Sequence, residues 1–472
     1  MRYHPGMWTP ESSFRDAEPA VFWTRQRRPV PGQPPLEGNT TADLAIIGGG
    51  FTGLWAAIEA KTRDPDRDVL LLEMEQIAFG ATGRNGGFIE PSLTHGLQNG
   101  LARYSRDEVH RLEQLGDRNF EEIARFIADR MIDCDFVRRG VLWGATEPYM
   151  LAYIDEAIAQ AREWGKESIA LDADGMRALI KSPFYLGGVW AKSEGGLVDP
   201  ARLAWGLLQA ALDFGVRVHE GTKVTALVDA GPRIAVRTAH GTVLARRVIH
   251  ATSAYPGVVR QTRRYVAPVY DYVLMSEPLT PGQRESIGWS ERFGLTDGDN
   301  QFIYARMTED HRILYGGWDA VYHRNGQVDP GLDVSDESHG FLVRRFFTTF
   351  PQLEGLRFTH RWGGAIDTCS RFAVFFTTTH GGKVVAAAGY TGLGVGASRF
   401  GALTALDLVD GRQTERTGLE LVRKKPVPFP PEPLRSAVIA LTRRAIARAD
   451  QNEGNRGLWL RTLDRLGLGF DS

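Results

Sequence analysis

Cysteine is scarce in this chain, with only Cys134 and Cys369 among 472 residues. Two cysteines make neither the disulfide framework of a small secreted domain nor a cysteine-rich zinc site. The cysteine content therefore predicts a protein of a reducing compartment. We expect it in the cytoplasm, and we expect no metal site.

Excess charge and long apolar runs are absent as well. The formal net charge is −1, which does not favour binding to nucleic acid. No run of 18 apolar residues occurs, and the N-terminus lacks the apolar core of a secretory signal, so we expect neither an integral membrane segment nor ordinary secretion. The chain contains 43% hydrophobic and 24% charged residues, which is typical of a soluble globular protein, and its length predicts two domains.

Glycine is abundant, and it is concentrated in a motif near the start of the chain. Residues 43–47 form a short apolar run that predicts a buried parallel strand, and residues 54–60 favour a helix. Between them Gly48, Gly50 and Gly53 fill the pattern G-x-G-x-x-G. A second predicted strand ends at Glu73, where an acid that binds ribose is expected. The sequence therefore predicts a dinucleotide site, with Phe51 and Thr52 at the start of the helix among its contacts.

A second glycine-rich stretch follows directly. Residues 80–87 read Gly-Ala-Thr-Gly-Arg-Asn-Gly-Gly. The bare N–H groups and the single guanidinium of this loop suit an anionic phosphate or the polar edge of a ring. An ordinary flexible loop is the alternative.

Together these two motifs resemble the D-amino-acid-oxidase-like (DAO) family of FAD-dependent oxidoreductases, and within it most closely the γ-glutamylputrescine oxidase branch. The resemblance implies that the second stretch passes the FAD pyrophosphate towards the isoalloxazine ring. Further contacts to the adenosine part are implied at the end of a strand that reads Ala-Thr-Ser-Ala-Tyr. The residues implied by these stretches are Ala81, Thr82, Arg84, Asn85, Gly86, Gly87, Val224, Ala251 and Thr252.

A third glycine loop lies near the C-terminal end of the resemblance. Residues 383–398 predict a strand, a glycine loop and a helix. Backbone N–H groups at a helix start stabilise negative charge, and in the family this loop lies under the N1 and O2 end of the flavin. The residues concerned are Tyr390, Thr391, Gly392, Gly394, Val395 and Gly396. We expect FAD to be bound non-covalently, although Cys369 and His95 are conceivable attachment points.

Candidates for contact with substrate are less well marked. The resemblance and the residue types lead us to predict catalytic roles for Tyr272, Arg306, Trp362 and His95, in a pocket that also includes Tyr270, Tyr304 and Tyr390. Arg306 suits a clamp for a carboxylate or phosphonate, or else a structural ion pair. Asp271 is unusual because it is a carboxylate in an apolar strand; it would be partnered by an amine substrate, by an arginine or by solvent.

The predicted fold class is α/β, with a Rossmann-like FAD-binding domain (a parallel sheet with a β-meander) and an α+β substrate domain with a mixed sheet. The resemblance implies the two-domain architecture of glutathione reductase and D-amino-acid oxidase. The predicted division is an N-terminal arm at 1–41, a discontinuous FAD-binding domain at 42–95, 195–260 and 360–412, a substrate domain at 96–194 and 261–359, and a C-terminal strap with helices at 413–472. That last segment docks back on the fold, joins subunits of a homo-oligomer, or rests on a membrane surface.

The resemblance implies oxidation of the C–N bond of a small amine or amino acid, with hydride transfer to flavin N5, hydrolysis of the imine to a carbonyl, and reduction of O2 to H2O2. One alternative is an FAD-dependent dehydrogenase that passes electrons to a quinone or carrier protein, which the arginine-rich C-terminal helix favours. Another is a non-catalytic or RNA-modifying flavoprotein, against which the nearly neutral net charge argues.

Overall fold

The strands of the computed structural model, which describes residues 9–26, 28–192 and 194–468, form two large sheets and one short ladder. In chain order the strands are β1 (Thr40–Ile47), β2 (Val69–Leu72), β3 (Phe88–Ile89), β4 (Val141–Ala145), β5 (Ile169–Asp172), β6 (Gly187–Ala191), β7 (Gly196–Leu197), β8 (Arg217–His219), β9 (Ala226–Ala230), β10 (Arg233–Arg237), β11 (Thr242–His250), β12 (Ala267–Ser276), β13 (Gly294–Asp297), β14 (Ile303–Met307), β15 (Ile313–Val321), β16 (Phe358–Thr368), β17 (Phe375–Thr379) and β18 (Val384–Ala388).

Helices cover both large sheets. In chain order they are α1 (Phe51–Arg63), α2 (Ala81–Arg84), α3 (Gly96–Leu101), α4 (Arg106–Asp129), α5 (Leu151–Glu163), α6 (Ala173–Leu179), α7 (Pro200–Asp213), α8 (Pro281–Ile287), α9 (Asp336–Thr349), α10 (Gly394–Val409), α11 (Glu415–Gly418), α12 (Glu420–Arg423), α13 (Leu434–Asp450) and α14 (Leu458–Arg465). Asp199 followed by Pro200 predicts the start of a helix. The structure confirms it at α7, because the Asp199 carboxylate caps the helix by accepting from the N–H groups of Ala201 and Arg202.

The first large sheet has the strand order β17-β18-β11-β1-β2-β8, with β10 and β9 joined to the edge of β11. β1 runs parallel to both β2 and β11, while β9, β10 and β11 form an antiparallel meander. Leu44 and Ile46 belong to one hydrophobic core, and Ala45 and Ile47 to another. A continuous apolar run therefore forms β1 because both faces of the strand are buried. The predicted Rossmann-like sheet with a β-meander is confirmed.

The second large sheet has the order β16-β12-β15-β14-β13-β4-β6-β5. Its pairs are antiparallel except for β13 and β4, so the predicted mixed sheet is confirmed. Helix α9 packs Leu342, Val343 and Phe346 into the core of this sheet. The sequence predicts a long strand over residues 266–277 and a hairpin of residues 302–306 and 312–317, and the structure has them as β12 and as β14–β15.

Three segments differ from the predicted arrangement. The sequence predicts a strand over residues 221–227, but residues 221–225 form a loop, because Gly221 and Thr222 donate their N–H groups to carbonyls beyond the end of β2. The segment from residue 360 was predicted with the FAD-binding domain, but β16 pairs along its length with β12 of the second sheet. Helix α4 was predicted with the substrate domain, but it packs in the core of the first sheet, where the Asn119 side chain donates to the Gly396 carbonyl at 2.9 Å. The other domain boundaries stay predictions.

Both ends of the chain lie against the fold. The N-terminal arm is held by its aromatic residues, since Phe14 and Trp23 are buried. At the other end the Phe429 N–H donates to the Arg264 carbonyl and the Tyr322 hydroxyl donates to the Glu432 carboxylate. The prediction that the C-terminal segment docks back on the fold is therefore confirmed. Residues 1–8 and 27 of the predicted arm, and residues 469–472, lie outside the described residues.

Candidate active site

A cavity of about 750 Å³ lies between the two large sheets. It extends from the glycine turn after β1, past the loop that contains α2, to β12 and β14 of the second sheet and to the C-terminal helices. Most of the residues predicted to contact the cofactor line it: Gly48, Gly50, Phe51, Thr52, Glu73, Ala81, Thr82, Arg84, Asn85, Gly86, Val224, Ala251, Thr252, Tyr390, Thr391, Gly392, Gly394 and Val395.

The turn between β1 and α1 leaves room only for glycine. Gly48 has φ +109°, and a Cβ there would lie 2.3 Å from the Ala251 carbonyl oxygen. A Cβ on Gly53 would lie 1.9 Å from the Gly48 carbonyl oxygen. Gly53 therefore serves close packing and does not line the cavity, whereas Phe51 and Thr52 at the N-terminus of α1 do. The Phe51 N–H donates to the Thr82 hydroxyl at 3.0 Å.

Glu73 is placed at the cavity wall beyond the end of β2. Its carboxylate accepts the Gly49 N–H at 2.6 Å and the Glu75 N–H at 2.9 Å. Burial raises the pKa of Glu73 above its ordinary value. The carboxylate thus stands beside the glycine turn, where the ribose of a dinucleotide bound to that turn would lie.

The loop of residues 79–87 is fixed by its own side chains. The Arg84 guanidinium forms an ion pair with Asp333 and donates to the Phe79 carbonyl, and the Asn85 side chain bridges the Thr82 carbonyl and the Gly87 N–H. The Arg84 guanidinium is therefore engaged within the protein, and its predicted contact with the cofactor stays a prediction. Both residues hold the shape of the loop, and both line the cavity.

Two tryptophan side chains hold the same loop from outside. The Trp362 indole donates to the Arg84 carbonyl at 2.9 Å, and the Trp23 indole donates to the Asn85 carbonyl at 3.0 Å. Trp362 is buried and does not line the cavity. Its predicted contact with substrate is replaced by a role in positioning the loop.

Arg306 and Tyr272 are also corrected. Arg306 is completely buried beside the Trp23 ring, paired with Asp135 and donating to the Val198 carbonyl. Burial lowers the pKa of Arg306 to about 10. It packs behind Gly87, whose Cβ would lie 2.4 Å from a guanidinium nitrogen, so neither Arg306 nor Gly87 reaches the cavity. The Tyr272 hydroxyl donates to the Leu332 carbonyl at 3.0 Å, away from the cavity.

The loop before α10 forms another part of the wall. The Thr52 hydroxyl donates to the Tyr390 hydroxyl at 2.9 Å, which joins the start of α1 to this loop. The Asp367 carboxylate of β16 accepts a hydrogen bond from the Gly389 N–H, at the start of the loop, at 2.7 Å. Gly396 packs against β3, because its Cβ would lie 2.3 Å from the Glu90 carbonyl oxygen. The N-terminus of α10 therefore faces the cavity at Gly392 and Gly394.

His95 lines the cavity and donates from its Nε2 to the Thr391 carbonyl. Burial lowers the pKa of His95 to about 4, so the imidazole is neutral at pH 7. Of the four residues predicted to be catalytic, His95 alone among the described residues lines the cavity.

Asp271 and Tyr304 form the polar centre of the substrate end. The Tyr304 hydroxyl donates to Asp271 Oδ2 at 2.5 Å, and the Tyr272 N–H donates to Asp271 Oδ1 at 2.9 Å. Burial raises the pKa of Asp271 to about 6, although the hydrogen bond from Tyr304 opposes the shift. Among the described residues no ion pair involves Asp271, and its side chain is open to the cavity. The Tyr304 ring lies against Gly86, so the pair borders the loop of residues 79–87.

Residues 428–468, which we call the C-terminal roof, supply a wall that the sequence did not predict. The apolar members that line the cavity are Phe429, Val438, Ile439, Ile446, Leu460, Leu463 and Leu468. The sequence signal was the helical spacing of apolar residues in α13 and α14, but that spacing does not say what the apolar face covers.

Comparison with known proteins identifies the chain. The sequence pattern of the family DAO, described as FAD dependent oxidoreductase, matches residues 43–406. The chain belongs to this family. It is therefore an FAD-dependent oxidoreductase, and the fold and family expected from its glycine motifs are confirmed.

Named relatives of this DAO-family protein act on several nitrogen compounds. It is 32% identical over 380 residues to the gamma-glutamylputrescine oxidoreductase of Escherichia coli (strain K12), which covers 80% of this chain and 85% of the relative. Its fold resembles that of glycine oxidase from Geobacillus kaustophilus, with a TM-score of 0.67, 20% identity and coverage of 81% of this chain and 99% of that one. L-proline dehydrogenase from P. horikoshii matches with a TM-score of 0.64, 18% identity and coverage of 82% and 96%.

The cavity of this DAO-family protein fits FAD. Gly48 and Gly50 present bare backbone at the cavity wall, a helix N-terminus faces the cavity at each of the two glycine loops, and Glu73, Val224, Ala251 and Thr252 line the same cavity. None of the described helices is long and apolar enough to cross a membrane.

Proposed function

We propose that this oxidoreductase oxidises the C–N bond of a small amine. The observation that carries the proposal is the carboxylate of Asp271, which lies half-buried in the cavity wall near the loop of residues 79–87 and has no ion-pair partner among the described residues. A buried carboxylate is stabilised by a bound cation, and an ammonium group is such a cation.

The charges around the substrate end favour an amine over an α-amino acid. Each arginine that lines this end is already paired: Arg84 with Asp333, Arg443 with Asp319, and Arg456 with Asp464. Recognition of a substrate carboxylate is typically a bidentate contact from a guanidinium that is available for it. The names of the relatives support oxidation at nitrogen but differ in substrate, since one names a γ-glutamyl amine and two name amino acids.

The residues of the chain bind and deprotonate the substrate in this proposal. An amine must be neutral before its α-carbon can release a hydride, so Asp271 first binds the ammonium group and then takes its proton on a carboxylate oxygen. Tyr304 orients the carboxylate through its hydroxyl hydrogen bond. Bound FAD would supply the acceptor for the hydride of the α-carbon. Loss of the hydride leaves an iminium cation, which water hydrolyses to a carbonyl compound and an ammonium ion or protonated amine. Transfer of the two electrons and two protons to O2, one proton from the transferred hydride and one from the amine, would give H2O2.

FAD is held non-covalently in this proposal. The Cys369 thiol is completely buried and donates to the Ala373 and Gly389 carbonyls at 3.2 and 3.4 Å. Burial raises the pKa of Cys369, which disfavours the thiolate that forms a thioether. A dehydrogenase that passes electrons to a quinone or carrier protein is the second candidate, because Arg444, Arg448, Arg461 and Arg465 of the C-terminal helices are exposed.

Asp271→Asn tests the proposal. We expect kcat/KM for an oxidised amine to fall by about 10²-fold or more, which is typical of losing a general base, while the purified protein keeps its flavin absorbance. In the wild type kcat/KM should fall as the pH drops through about 6, where Asp271 takes up a proton. The variant should lack this limb. Stopped-flow bleaching of the flavin without oxygen, by a panel of amines and amino acids, supplies the rates.

Asp336→Asn is the matched control, because Asp336 is an exposed carboxylate paired with Arg361 outside the cavity. It should keep the wild-type pH profile. An Asp271→Asn enzyme with an unchanged acid limb would contradict the role of Asp271, and a flavin that no amine bleaches would contradict amine oxidation. H2O2 formed in air at the rate of amine oxidation would support the oxidase form.

A further inference from the structure

The C-terminal roof presents one apolar helix face to the substrate end of the cavity. In α13 the residues that line the cavity are Val438, Ile439, Thr442, Arg443 and Ile446. They recur at the helical spacing of three to four residues that forms a single face. Leu441, on the other side of the same helix, is 47% exposed and does not line the cavity. The helix is therefore oriented with a defined aliphatic face inward.

Hydrogen bonds hold the roof over the second sheet. The Asp450 carboxylate accepts from the Asn300 N–H, the Asn300 side chain and the Gln301 N–H at 3.0, 2.7 and 3.1 Å. Arg443 pairs with Asp319. Within the roof, the Trp459 indole donates to the Thr442 hydroxyl at 3.0 Å, which fixes α14 on α13.

The roof adjoins the strand that carries Asp271. Pairing between β12 and β15 is irregular between Tyr270 and Tyr272, so residues 318–320 of β15 bulge at the level of Asp271 and line the cavity. Asp319 in this bulge is the partner of Arg443. Strand β15 therefore connects the two features: its Asp319 contacts α13, and it pairs with β12, which carries the Asp271 carboxylate.

The roof lies outside the part of the chain that matches the family. The match ends at residue 406, whereas every residue of the roof follows residue 427. The family match therefore includes both the cofactor motifs and Asp271, but not this wall of the cavity.

Resting on the proposed function, we propose that the C-terminal roof selects the substrate: Asp271 binds the amine nitrogen, and the aliphatic face of the roof binds an apolar substituent. The substrate class is then an alkylamine without an α-carboxylate. Arg443 and Arg456 can pair with a substrate carboxylate only by breaking the Arg443–Asp319 or Arg456–Asp464 ion pair. Burial of substrate methylene groups against Ile439 and Ile446, in contrast, contributes favourable binding free energy.

A chain-length series tests the roof. With primary amines from propylamine to hexylamine, kcat/KM of the flavin-loaded wild type should rise by about fourfold for each added methylene, the increment expected for a fully buried CH2 group. Ile439→Ala and Ile446→Ala should each lower the ratio of kcat/KM for hexylamine to that for propylamine by about tenfold. Leu441→Ala, on the outward face of the same helix, should keep the wild-type ratio. 2-Aminoheptanoate, the α-carboxylated form of hexylamine, should react at least about tenfold more slowly than hexylamine.

Calorimetry on the same amines separates the two proposals. Dissociation constants should show the same chain-length ratio and the same response to the isoleucine variants, whether or not the amines are oxidised. If the amines bind with this pattern but none is oxidised, the proposed function fails and the roof stands. If the ratio is flat in the wild type, or unchanged in both isoleucine variants, the role of the roof is overturned. A faster reaction with 2-aminoheptanoate would overturn the exclusion of the carboxylate.

Discussion

At the residue scale, the Asp271 carboxylate favours binding of a substrate cation but lowers the stability of the folded protein. Its carboxylate is useful because it is buried without a cation, and burial of that kind costs free energy in the folded protein. Burial raises the pKa of Asp271 from 3.8 to about 6. The folded chain therefore keeps a proton that the unfolded chain has already released between those pH values, and the free energy of unfolding falls as the pH rises through this window.

Asp271→Asn should relieve this cost. Because asparagine stays neutral at every pH, we expect the variant to be more stable than the wild type at pH 8 by about 1–3 kcal/mol, the upper value corresponding to a shift of about two pKa units. At pH 4, where the wild-type carboxyl is protonated, the two proteins should differ little. Urea unfolding at both pH values measures the difference. Asp336→Asn should show no such gap, and an Asp271→Asn difference that is the same at pH 4 and pH 8 would contradict the explanation.

At the scale of the element, the loop of residues 79–87 depends on partners from distant parts of the chain. Its consecutive carbonyls at Arg84 and Asn85 are held by indoles from β16 and from the N-terminal arm. Since the loop lines the cavity at Ala81, Thr82 and Gly86, its shape determines how closely the cofactor approaches.

Trp362→Phe and Trp23→Phe should therefore weaken retention of the flavin. Each change keeps an aromatic ring but leaves a buried carbonyl without its donor, which typically costs about 1–3 kcal/mol. We expect a lower ratio of flavin to protein absorbance after dialysis and a lower free energy of unfolding.

Trp459→Phe is the matched control for these two variants. It also loses an indole hydrogen bond, but that bond lies in the C-terminal roof. Flavin retention should stay at the wild-type level. Equal loss of flavin in all three variants would show that the loop contacts have no special part in holding the cofactor.

At the scale of the whole molecule, the C-terminal roof lines the same cavity as the cofactor motifs of the first sheet and Asp271 of the second sheet. In the chain, the roof follows the last strand of the first sheet, which carries the cofactor motifs. In space, its Asp450 carboxylate binds the loop between β13 and β14 of the second sheet. A segment held mainly by a few polar contacts opens more readily than the sheet below it.

Asp450→Ala should loosen the roof selectively, because it removes the three hydrogen bonds to Asn300 and Gln301. We expect faster amide hydrogen exchange in α13 and α14, measured by mass spectrometry, with unchanged exchange in β1, β2 and α1. Arg444→Ala, at an exposed position of α13, should leave the exchange of the roof unchanged. Uniformly faster exchange across both sheets would indicate general destabilisation instead.

Prediction from the sequence succeeded where function depends on local backbone chemistry. The turn at Gly48 needs a positive φ and close packing, and these requirements are written in consecutive residues. The same holds for the cap at Asp199 and for the β14–β15 hairpin. It failed for Tyr272, Arg306 and Trp362, because aromatic and cationic side chains serve buried packing as well as substrate contact, and their residue types do not distinguish the two.

Strand β12 shows why the sequence did not identify which side chains line the cavity. Strict alternation predicts Tyr270 and Tyr272 on one face and Asp271 on the other. The irregular pairing with β15 between Tyr270 and Tyr272 breaks that alternation, so Tyr270 and Asp271 both line the cavity while Tyr272 bonds elsewhere. The irregularity arises between two strands separated along the chain, and no local pattern in β12 reveals it.

The sequence by itself determined the family, the cofactor motifs and the two kinds of sheet, because each depends on short runs of residues whose conformation is set by their neighbours in the chain. Only the tertiary structure decided which side chains reach the substrate. Asp271 became the central residue because a bulge from β15 opens it to the cavity and Tyr304 from β14 orients it. The C-terminal roof became a wall of the site because Asp450 and Arg443 find partners on the second sheet. These contacts join segments far apart in sequence, and the energy that holds them exists only when the chain is folded.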